Sequence, residues 1–470
     1  MAGIVSFGAY VPWHRLGKET AGWSAAGEKA IANCDEDSIT LAVAAALDCL
    51  QGVDRKKVDG LFFASTSSPY REKDAAPLIA TACDLREDIR TADFTGSLRG
   101  ATTALLSALD AVKAGSARSI LVVAAETRTP QPRSDLETTL GDGAAAFLVG
   151  TEGVVAEVEA AFSVAHEIQD MWRSEGDPFV RTGEDRFVVD EGYFPPLVAA
   201  SQEALKRAGV ATKDLARVAI YAADARRLTE MARRLGLDEK TQVSGTVLQQ
   251  VGNTGAALAP MMLVSALEEA APGQRLMVLN YGQGADALIL RTTKAVSPNP
   301  SRRGVKGHLA SKRVLPDYQQ YLRWRGLLDV APAARRPPLQ VPSASAMYRE
   351  QEQNIRFYGV KCRRCGTPQY PIQRVCCVCR TKDEFDPYRF SDKRANLFTY
   401  SMDYLGPTPD PPLVLSIIDF DGGGRTLIQM TDRDISKVKP GIPLELSFRL
   451  LHVVEGIHNY YWKCLPVRAA

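Results

Sequence analysis

Five of the nine cysteines lie between positions 362 and 379, and four of them form two C-x2-C pairs, Cys362 with Cys365 and Cys376 with Cys379. A tight turn at each pair brings two thiolates within reach of one ion, and two such turns complete a tetrahedral zinc site with four sulfur ligands. Such a site has no open ligand position, so we expect the zinc to be structural. Cys377 is the spare thiol, and we predict that it packs rather than binds metal.

The first 295 residues alternate short apolar runs with alanine-rich runs, which predicts an α/β domain with much parallel pairing. We place strands at 60–64, 119–125, 144–149, 217–222, 275–280 and 285–290, and helices at 38–51, 100–114, 197–208, 228–235 and 255–270. A glycine turn followed by a small-residue helix occurs around 93–114 and again around 252–270. We therefore predict two α/β halves, about 1–165 and 166–295.

The rest of the chain divides into three parts. Residues 296–350 are rich in arginine, lysine and proline, and are interpreted either as a solvated linker or as a basic rim that attracts an anionic substrate. The cysteine pairs predict a zinc ribbon at 351–385. Residues 386–470 carry five short strand patterns, which are typical of a small OB-fold β-barrel. These patterns lie at 397–402, 413–418, 426–430, 443–449 and 459–464.

Composition and charge exclude several classes of protein. The formal net charge is only +2, with 45% hydrophobic and 24% charged residues, which is typical of a soluble globular protein and not of a nucleic-acid coat. The N-terminal residues lack the pattern of a signal peptide, and no uncharged apolar run reaches the roughly 18 residues that a membrane span needs. We therefore expect a cytoplasmic protein with neither a nucleic-acid nor a membrane partner.

Three motifs in the first domain resemble the thiolase superfamily, and among its members most of all 3-hydroxy-3-methylglutaryl-CoA synthase and ketoacyl-ACP synthase III. They are G-D-G-A within 140–149, G-N-T-x-A-A within 251–257 and Y-G-x-G within 280–284. From Tyr348 onward, the chain resembles zinc-ribbon/OB-fold proteins that accompany thiolase-like enzymes. The resemblance implies a five-layered αβαβα fold, a homodimer, a coenzyme A thioester as substrate and a role in lipid metabolism.

The catalytic residues of the family do not carry over to this chain. The family's nucleophilic cysteine opens a central helix, and its position falls on Leu98, which cannot form a thioester. Ser97 lies beside it, but a serine without a base is a poor nucleophile. The family's histidine position falls on Tyr221, and the glutamate of the synthases falls near Thr66. Only the asparagine, Asn253, is retained.

Cleavage of a carbon–carbon bond in a β-hydroxyacyl-CoA needs no covalent carrier, only a base and donors that stabilise the enolate. We select Tyr221 as base or proton donor, with Asp224 near it in sequence. Asn253 is a candidate enolate donor, and Tyr281 is a second candidate proton shuttle. This chemistry is similar to that of thiolase-like aldolases of steroid side-chain breakdown, which lack the cysteine and work with a zinc-ribbon/OB partner.

Three hypotheses for the function stay open. The first, which we prefer here, is an aldolase (a carbon–carbon lyase) that acts without an acyl-enzyme. The second is a condensing acyltransferase of the 3-hydroxy-3-methylglutaryl-CoA synthase or thiolase type, with a nucleophile elsewhere in the chain. The third is a non-catalytic scaffold that binds acyl-CoA and supports a separate active partner.

Overall fold

The computed structural model describes residues 2–296, 301–328, 339–406 and 408–468. The strands up to residue 328 are β1 (Gly3–Tyr10), β2 (His14–Leu16), β3 (Lys29–Ile31), β4 (Gly60–Ala64), β5 (Arg90–Phe94), β6 (Ser119–Glu126), β7 (Gly143–Gly150), β8 (Ala156–Ala165), β9 (Met171–Trp172), β10 (Arg181–Thr182), β11 (Leu215–Ile220), β12 (Arg275–Tyr281), β13 (Gly284–Thr292) and β14 (Arg313–Val314). Those that follow are β15 (Tyr358–Cys362), β16 (Pro368–Gln369), β17 (Phe385–Arg389), β18 (Ala395–Asp403), β19 (Leu413–Phe420), β20 (Arg425–Met430), β21 (Pro443–Val454) and β22 (Ile457–Pro466).

The helices of the same residues are α1 (Ser38–Cys49), α2 (Ala76–Ala82), α3 (Gly100–Lys113), α4 (Asp135–Thr139), α5 (Asp185–Phe187), α6 (Phe194–Ala208), α7 (Ala225–Arg234), α8 (Thr246–Gln250), α9 (Leu258–Glu269), α10 (Gly304–Ala310), α11 (Tyr318–Trp324), α12 (Ala344–Arg349) and α13 (Gln351–Asn354). A π-helical turn, Val188–Tyr193, precedes α6. Within the part of the chain that the structure describes, no helix is both long enough and apolar enough to cross a membrane.

Nine strands form one mixed sheet in the order β11-β12-β13-β8-β1-β7-β6-β4-β5. Parallel pairing is confined to β4 with its two neighbours and to β11 with β12, so the sheet is less parallel than we expected. The reason is visible at β12 and β13, which a two-residue turn joins into an antiparallel hairpin. The central strands β1 and β8 were not predicted, because β1 contains two glycines and β8 alternates alanine with charged or polar residues.

Helices pack on both faces of this sheet. In β4, Leu61 and Phe63 share a core with α1, whereas Phe62 and Ala64 share a different core with α3, as the period of two in a strand requires. The helix α9 packs on β7 of the first half and on β11 and β12 of the second, and α6 covers β8 and β13. The helices α3 and α9 share one core, and α1 lies in another. The five-layered order that the resemblance implied stays a prediction.

The segment after the first domain is folded onto it over residues 301–324, which corrects the interpretation of 296–350 as an extended linker. There, α10 packs on α9 and β1, and α11 joins a small apolar cluster with β2 and β3. Three of the seven lysine and arginine side chains at 301–328 form ion pairs, for example Arg325 with Asp142 and Lys312 with Glu28, so the segment is not a wholly unpaired basic rim. Most of the proline-rich stretch falls on 329–338, outside the described residues.

The C-terminal part consists of a small sheet and a barrel. The strands β15, β16 and β17 form a three-stranded sheet beside the two cysteine pairs, and β18-β19-β20-β22-β21 close a barrel. The five barrel strands match the five strand patterns of the sequence, while the assignment as an OB-fold stays a prediction. Trp462 is fully buried in the barrel core, and that core continues without a break into the cluster formed by α1.

A buried ion network joins the barrel to the first domain. Arg449 of β21 lies 2.6 Å from Glu36 and 3.2 Å from Asp35, two carboxylates in the loop before α1. The same guanidinium lies 2.7 Å from Asp432 of the barrel, and Lys463 lies 3.0 Å from Asp35. Only 1% of the Arg449 side chain is exposed. These charges therefore depend on one another, because water cannot replace a missing partner.

A second contact joins the barrel to the loop after β4, residues 65–70. The backbone N–H of His458 donates to the hydroxyl of Tyr70 at 2.8 Å. The hydroxyl of Ser38, at the start of α1, donates to the carbonyl of Ser67 at 3.0 Å. The loop is therefore held between the first helix and the barrel.

Replacing Arg449 with methionine should destabilise the protein by about 3–5 kcal/mol, because three buried carboxylates then lose their common cation. Urea unfolding followed by tryptophan fluorescence measures this loss. The matched control is Arg425→Met, since Arg425 is half-exposed and pairs only with the exposed Asp419, and it should change the free energy of unfolding by less than about 1 kcal/mol. Equal stabilities for the two variants would contradict the importance given to the network.

Candidate active site

Two glycine turns, one from each half of the sheet, touch through their backbones. The N–H of Gly141 donates to the carbonyl of Asn253 at 3.1 Å, and the N–H of Asn253 donates to the carbonyl of Thr139 at 2.7 Å. A Cβ on Gly141 would lie 1.9 Å from the carbonyl oxygen of Val251, and one on Gly252 would lie 2.8 Å from that of Thr139. Only glycine permits this approach, which explains its place in both motifs.

The Asn253 side chain is held from three directions. Its Oδ1 accepts from the N–H of Gly255 at 2.9 Å and from Nη2 of Arg128 at 3.1 Å, and its Nδ2 donates to the hydroxyl of Tyr221 at 3.2 Å. A Cβ on Gly255 would lie 2.8 Å from Nε of Arg128, so glycine leaves the space that the guanidinium occupies. The structure thus brings together two residues selected from the sequence, Asn253 and Tyr221.

Arg128 lies two residues past the end of β6, and the residue is 4% exposed. It forms no ion pair with the described residues, and its Nε has no hydrogen-bond partner among them. A buried cation without a counter-ion is costly, so Arg128 is a candidate to bind a negatively charged group of a ligand. Sequence analysis missed this residue, and its only signal was its position just past the end of a fully buried strand.

Tyr281 lies at the end of β12 and packs against two other tyrosines. Its ring centroid is 5.9 Å from that of Tyr221 and 5.2 Å from that of Tyr193. Its hydroxyl is buried without a hydrogen-bond partner in the described residues. Burial and the nearby Asp170 carboxylate both raise the pKa of Tyr281. A third residue selected from the sequence therefore joins the same cluster, where its hydroxyl interacts with the Asp170 carboxylate.

Asp170 supplies the carboxylate of this cluster, from the segment between β8 and β9. Burial raises its pKa, although Tyr281, Arg227 and Arg128 act in the opposite direction. Its backbone carbonyl accepts from the N–H of Gly183 at 2.9 Å, which anchors the segment. Sequence analysis did not select Asp170 as a site residue, because Tyr281 lies far from it along the chain.

Leu98 occupies the position that the resemblance gives to the nucleophilic cysteine. Its side chain is 8% exposed and belongs to the same buried core as Tyr221 and Tyr281. The hydroxyl of the adjacent Ser97 donates to the carbonyl of Gly282 at 3.4 Å, so it is not paired with a base. The position therefore carries no group that could form an acyl-enzyme.

At the position of the glutamate of the synthases, Thr66 binds another carboxylate, that of Glu126. The N–H and hydroxyl of Thr66 donate to Glu126 at 2.9 and 3.0 Å, and the hydroxyl of Ser67 donates to it at 2.6 Å. Glu126 is fully buried, and the N–H of Ala256 also points at it at 3.4 Å. With its oxygens occupied by these donors, Glu126 fixes the loop after β4 rather than serving as a free base.

The residues Tyr193, Tyr221 and Tyr281, with Asn253, Arg128 and Asp170, are called the tyrosine cluster. The nine cysteines all lie among the described residues, and none belongs to this cluster. Burial raises the pKa of Cys49, Cys83 and Cys464 to about 12, and raises that of Cys34 as well. Buried thiols of this kind are inert, because the thiolate is the reactive form. The remaining five belong to the segment with the C-x2-C pairs.

Asp224, the fourth residue selected from the sequence, lies at the N-cap of α7. Its carboxylate accepts from the backbone N–H of Arg227 at 2.8 Å and pairs with the same residue's side chain. This arrangement is that of an ordinary helix cap. The catalytic role of Asp224 stays a prediction for which the structure provides no contact with Tyr221.

The four cysteines of the two C-x2-C pairs come together in space. Their sulfur atoms all lie within 4.8 Å of one another, with 3.6 Å between Cys362 and Cys379 and 3.5 Å between Cys365 and Cys376. Tetrahedral coordination with Zn–S bonds of about 2.3 Å separates the sulfurs by about 3.8 Å. The set therefore fits a four-coordinate zinc ion, while Cys377 is exposed and stands apart.

Two family models match the first domain. The model described as 3-oxoacyl-[acyl-carrier-protein (ACP)] synthase III matches residues 92–165, and the model of that synthase's C-terminal part matches residues 205–291. The first match contains Leu98, and the second contains Tyr221, Asn253 and Tyr281. The matched segments thus include Arg128, Tyr221, Asn253 and Tyr281, while Asp170 and Tyr193 lie between the two matches.

Curated relatives and solved structures agree with these matches. Hydroxymethylglutaryl-CoA synthase of Pyrobaculum arsenaticum is 29% identical over 346 residues, or 70% of this chain and 99% of the relative. The same enzyme of Methanocaldococcus jannaschii is 28% identical over 69% of this chain and 99% of the relative. MvaS in complex with 3-hydroxy-3-methylglutaryl coenzyme A has a TM-score of 0.62 at 21% identity, covering 72% of this chain and 94% of that one. For 3-oxoacyl-[acyl-carrier-protein] synthase III from Aquifex aeolicus VF5, the TM-score is 0.55 at 22% identity. The match covers 62% of this chain and 100% of that one.

The fold of the first domain is similar to that of solved hydroxymethylglutaryl-CoA synthase and 3-oxoacyl-[acyl-carrier-protein] synthase III structures. Two of its segments match models of 3-oxoacyl-[acyl-carrier-protein] synthase III, and the relatives at 28–29% identity are hydroxymethylglutaryl-CoA synthases. The curated relatives are matched over nearly their whole length but cover only about 70% of this chain.

Replacing Cys362 with serine should abolish stoichiometric zinc binding, because a fully occupied set of four thiolates loses one ligand. Metal analysis of the purified protein measures the zinc content, and thermal unfolding should show a destabilised C-terminal part. Cys377→Ser is the matched control, since it removes a neighbouring exposed thiol and should keep one zinc per chain. Zinc retained by the first variant would contradict the four-sulfur site.

Proposed function

We propose that this chain is an acyl-CoA enzyme that forms a carbon–carbon bond next to a coenzyme A thioester without attaching the acyl group to the protein. The observation that carries this proposal is the buried tyrosine cluster, which contains a carboxylate and several hydrogen-bond donors. Leu98 and Tyr221 lie there at the positions that the resemblance gives to a cysteine and a histidine. The zinc set is separate from this cluster and serves the fold of the C-terminal part.

A covalent route lacks a nucleophile. Leu98 cannot attack a thioester, Ser97 is bonded to a backbone carbonyl, and the buried cysteines of the first domain are held as neutral thiols. Our second hypothesis, a condensing acyltransferase of the 3-hydroxy-3-methylglutaryl-CoA synthase or thiolase type, is supported by the names of the relatives better than the aldolase, but these residues do not supply its nucleophile.

Asp170 is the residue best suited to act as the base. Its charge raises the pKa of both Tyr281 and Tyr221, and burial raises its own pKa above the ordinary value. A raised pKa makes the carboxylate a stronger base once it has lost its proton. Arg227 and Arg128 are close enough to keep the charged form accessible.

Tyr221 serves as a proton donor rather than a base. Burial raises its pKa, although Arg128 and Asn253 act in the opposite direction, so the phenol keeps its proton at neutral pH. Its oxygen already accepts from Asn253, which leaves its own proton for a substrate oxygen. The hydroxyl of Tyr281 and the free Nε of Arg128 supply further donors. Together they can stabilise negative charge that develops on a thioester oxygen.

The proposed steps follow from these roles. Asp170 takes a proton from the carbon next to the thioester, and the electron pair of that C–H bond moves toward the thioester oxygen, which becomes an enolate. The enolate carbon then attacks the carbonyl carbon of a second substrate and forms the new bond. The proton held by Asp170 goes to the resulting alkoxide, which gives a β-hydroxyacyl-CoA. The same steps in reverse cleave that product.

The relatives support bond formation better than the cleavage that the sequence led us to prefer, because they are named as synthases. The complex of MvaS with 3-hydroxy-3-methylglutaryl coenzyme A supports a coenzyme A thioester as substrate. A homodimer and a cytoplasmic location complete the proposal.

The decisive experiment uses the purified, zinc-replete chain. One mixture contains acyl-CoA and a carbonyl partner such as acetoacetyl-CoA or an aldehyde, and another contains a panel of β-hydroxyacyl-CoA thioesters. Mass spectrometry should find a β-hydroxyacyl-CoA in the first mixture, and a shortened acyl-CoA with a free carbonyl compound wherever the reverse reaction is favoured. The intact mass of the protein should not change. An acyl adduct on the chain would contradict the non-covalent route, and turnover that requires another subunit would identify a scaffold.

Replacing Tyr221 with phenylalanine should lower kcat at least about 100-fold with little change in KM, because the donor acts on charge that develops during the reaction. Steady-state kinetics on the substrate identified above measures both constants. The matched control is Tyr400→Phe, which removes a hydroxyl that donates to the carbonyl of Val438 at 3.1 Å in the barrel. Equal kinetics for the two variants would remove Tyr221 from the mechanism.

A further inference from the structure

A cleft of about 920 Å³ opens where the first domain meets the small sheet and the barrel. Its walls come from the loop between α1 and β4, the loop between α2 and β5, and residues of β15, β17 and β21. These loops precede the amino ends of β4 and β5. The tyrosine cluster lies toward the other end of the sheet, because Thr66 and Arg128 follow the carboxyl ends of β4 and β6. The cleft is therefore separate from the candidate active site.

The lining carries seven basic and five acidic side chains. Among the lining residues, the carboxylate of Asp84 contacts three polar groups at once. Arg356 lies 3.1 Å from one of its oxygens, while Arg389 at 3.4 Å and the hydroxyl of Tyr358 at 3.1 Å share the other. Arg356 also pairs with Glu352, whose side chain is 56% exposed. Asp84, whose side chain is 19% exposed, and the more exposed Glu352 thus face two arginine side chains that are only 9% and 13% exposed.

Arg55 adds a third guanidinium to this group. Its Nη1 donates to the backbone carbonyl of Cys83 at 2.9 Å, and no carboxylate of the described residues forms an ion pair with it. Burial and the neighbouring Arg389 both lower the pKa of Arg55, which means that the two cations repel each other. Arg389 donates through Nε to Ser391 at 2.8 Å, but its Nη2 is buried without a partner.

We propose that this cleft binds an oxyanion of the phosphate class between Arg389 and Arg55. Arginine forks match the oxygens of a phosphate, and a doubly charged anion would offset the positive charge that Asp84 cannot balance. Because Arg55 belongs to the first domain and Arg389 to the small sheet, the anion would link the two. The volume exceeds that of a single phosphate ion, so the group comes either from free phosphate or from a phosphate ester of nucleotide size.

Isothermal titration of the full zinc-replete chain at low salt tests the proposal, with inorganic phosphate, pyrophosphate and ADP as separate probes. We expect saturable binding of at least one probe at one site per chain. Binding of inorganic phosphate identifies the free ion as sufficient, whereas binding of ADP alone identifies an ester. Arg389→Gln and Arg55→Gln should each weaken that binding at least about tenfold, because each removes a charged donor.

Arg425→Gln is the matched control, since it removes an arginine on the outer surface of the barrel and should bind the probe as the unchanged chain does. If Arg389→Gln fails to fold because Asp84 loses a partner, Arg55→Gln still decides the question, as Arg55 has no ion pair to lose. The absence of saturable binding for every probe, or unchanged affinity in Arg55→Gln, would overturn the proposal. Neither result depends on the reaction proposed for the tyrosine cluster.

Discussion

The backbone contact between the turns at Gly141 and Gly252 is the constraint on which the rest of the site depends. One turn belongs to the first half of the sheet and the other to the second, so their contact fixes the halves relative to each other. Asn253 lies at the point of contact, and its amide reaches Arg128 from one half and Tyr221 from the other. A side chain on either glycine would separate the turns, and the hydrogen bonds of Asn253 would be lost with them.

Two buried polar clusters in this protein follow opposite rules. Around Arg449, each charge has a partner of opposite sign within hydrogen-bond distance, as a cluster with a structural role requires. Around Tyr281 and Arg128, by contrast, donors are buried without partners, each at a cost of about 1–3 kcal/mol. A fold can retain this cost where a ligand supplies the missing acceptor. The cluster around Tyr281 and Arg128, rather than the more highly charged one around Arg449, is therefore the candidate for chemistry.

Sequence patterns located most of the regular structure but little of the site. The strand Gly60–Ala64 was predicted to the residue, and the barrel strands to within a few residues at most ends, because apolar runs bounded by turn residues are local signals. The weakly apolar strands β1 and β8 were not predicted, since their position at the centre of the sheet depends on partners that are distant in sequence. Arg128 and Asp170 were missed for the same reason, because their roles depend on contacts between residues far apart in the sequence. Arg128 and Met171, for example, are 43 positions apart. The segment 301–324 was misinterpreted because its many basic residues suggest solvent, while their acidic partners lie far away in sequence.

The small sheet and the barrel lie on the same chain as the domain against which they pack. Their docking is therefore an intramolecular event, which does not depend on the concentration of a separate partner. The interface between β21 or β22 and the region around α1 combines a continuous apolar core with charged groups and a few hydroxyls, and it is closed within one chain. Two separate proteins at cellular dilution would need a stronger contact to stay together. Each first domain therefore always has one barrel that contacts its residues 65–70, whatever the level of expression.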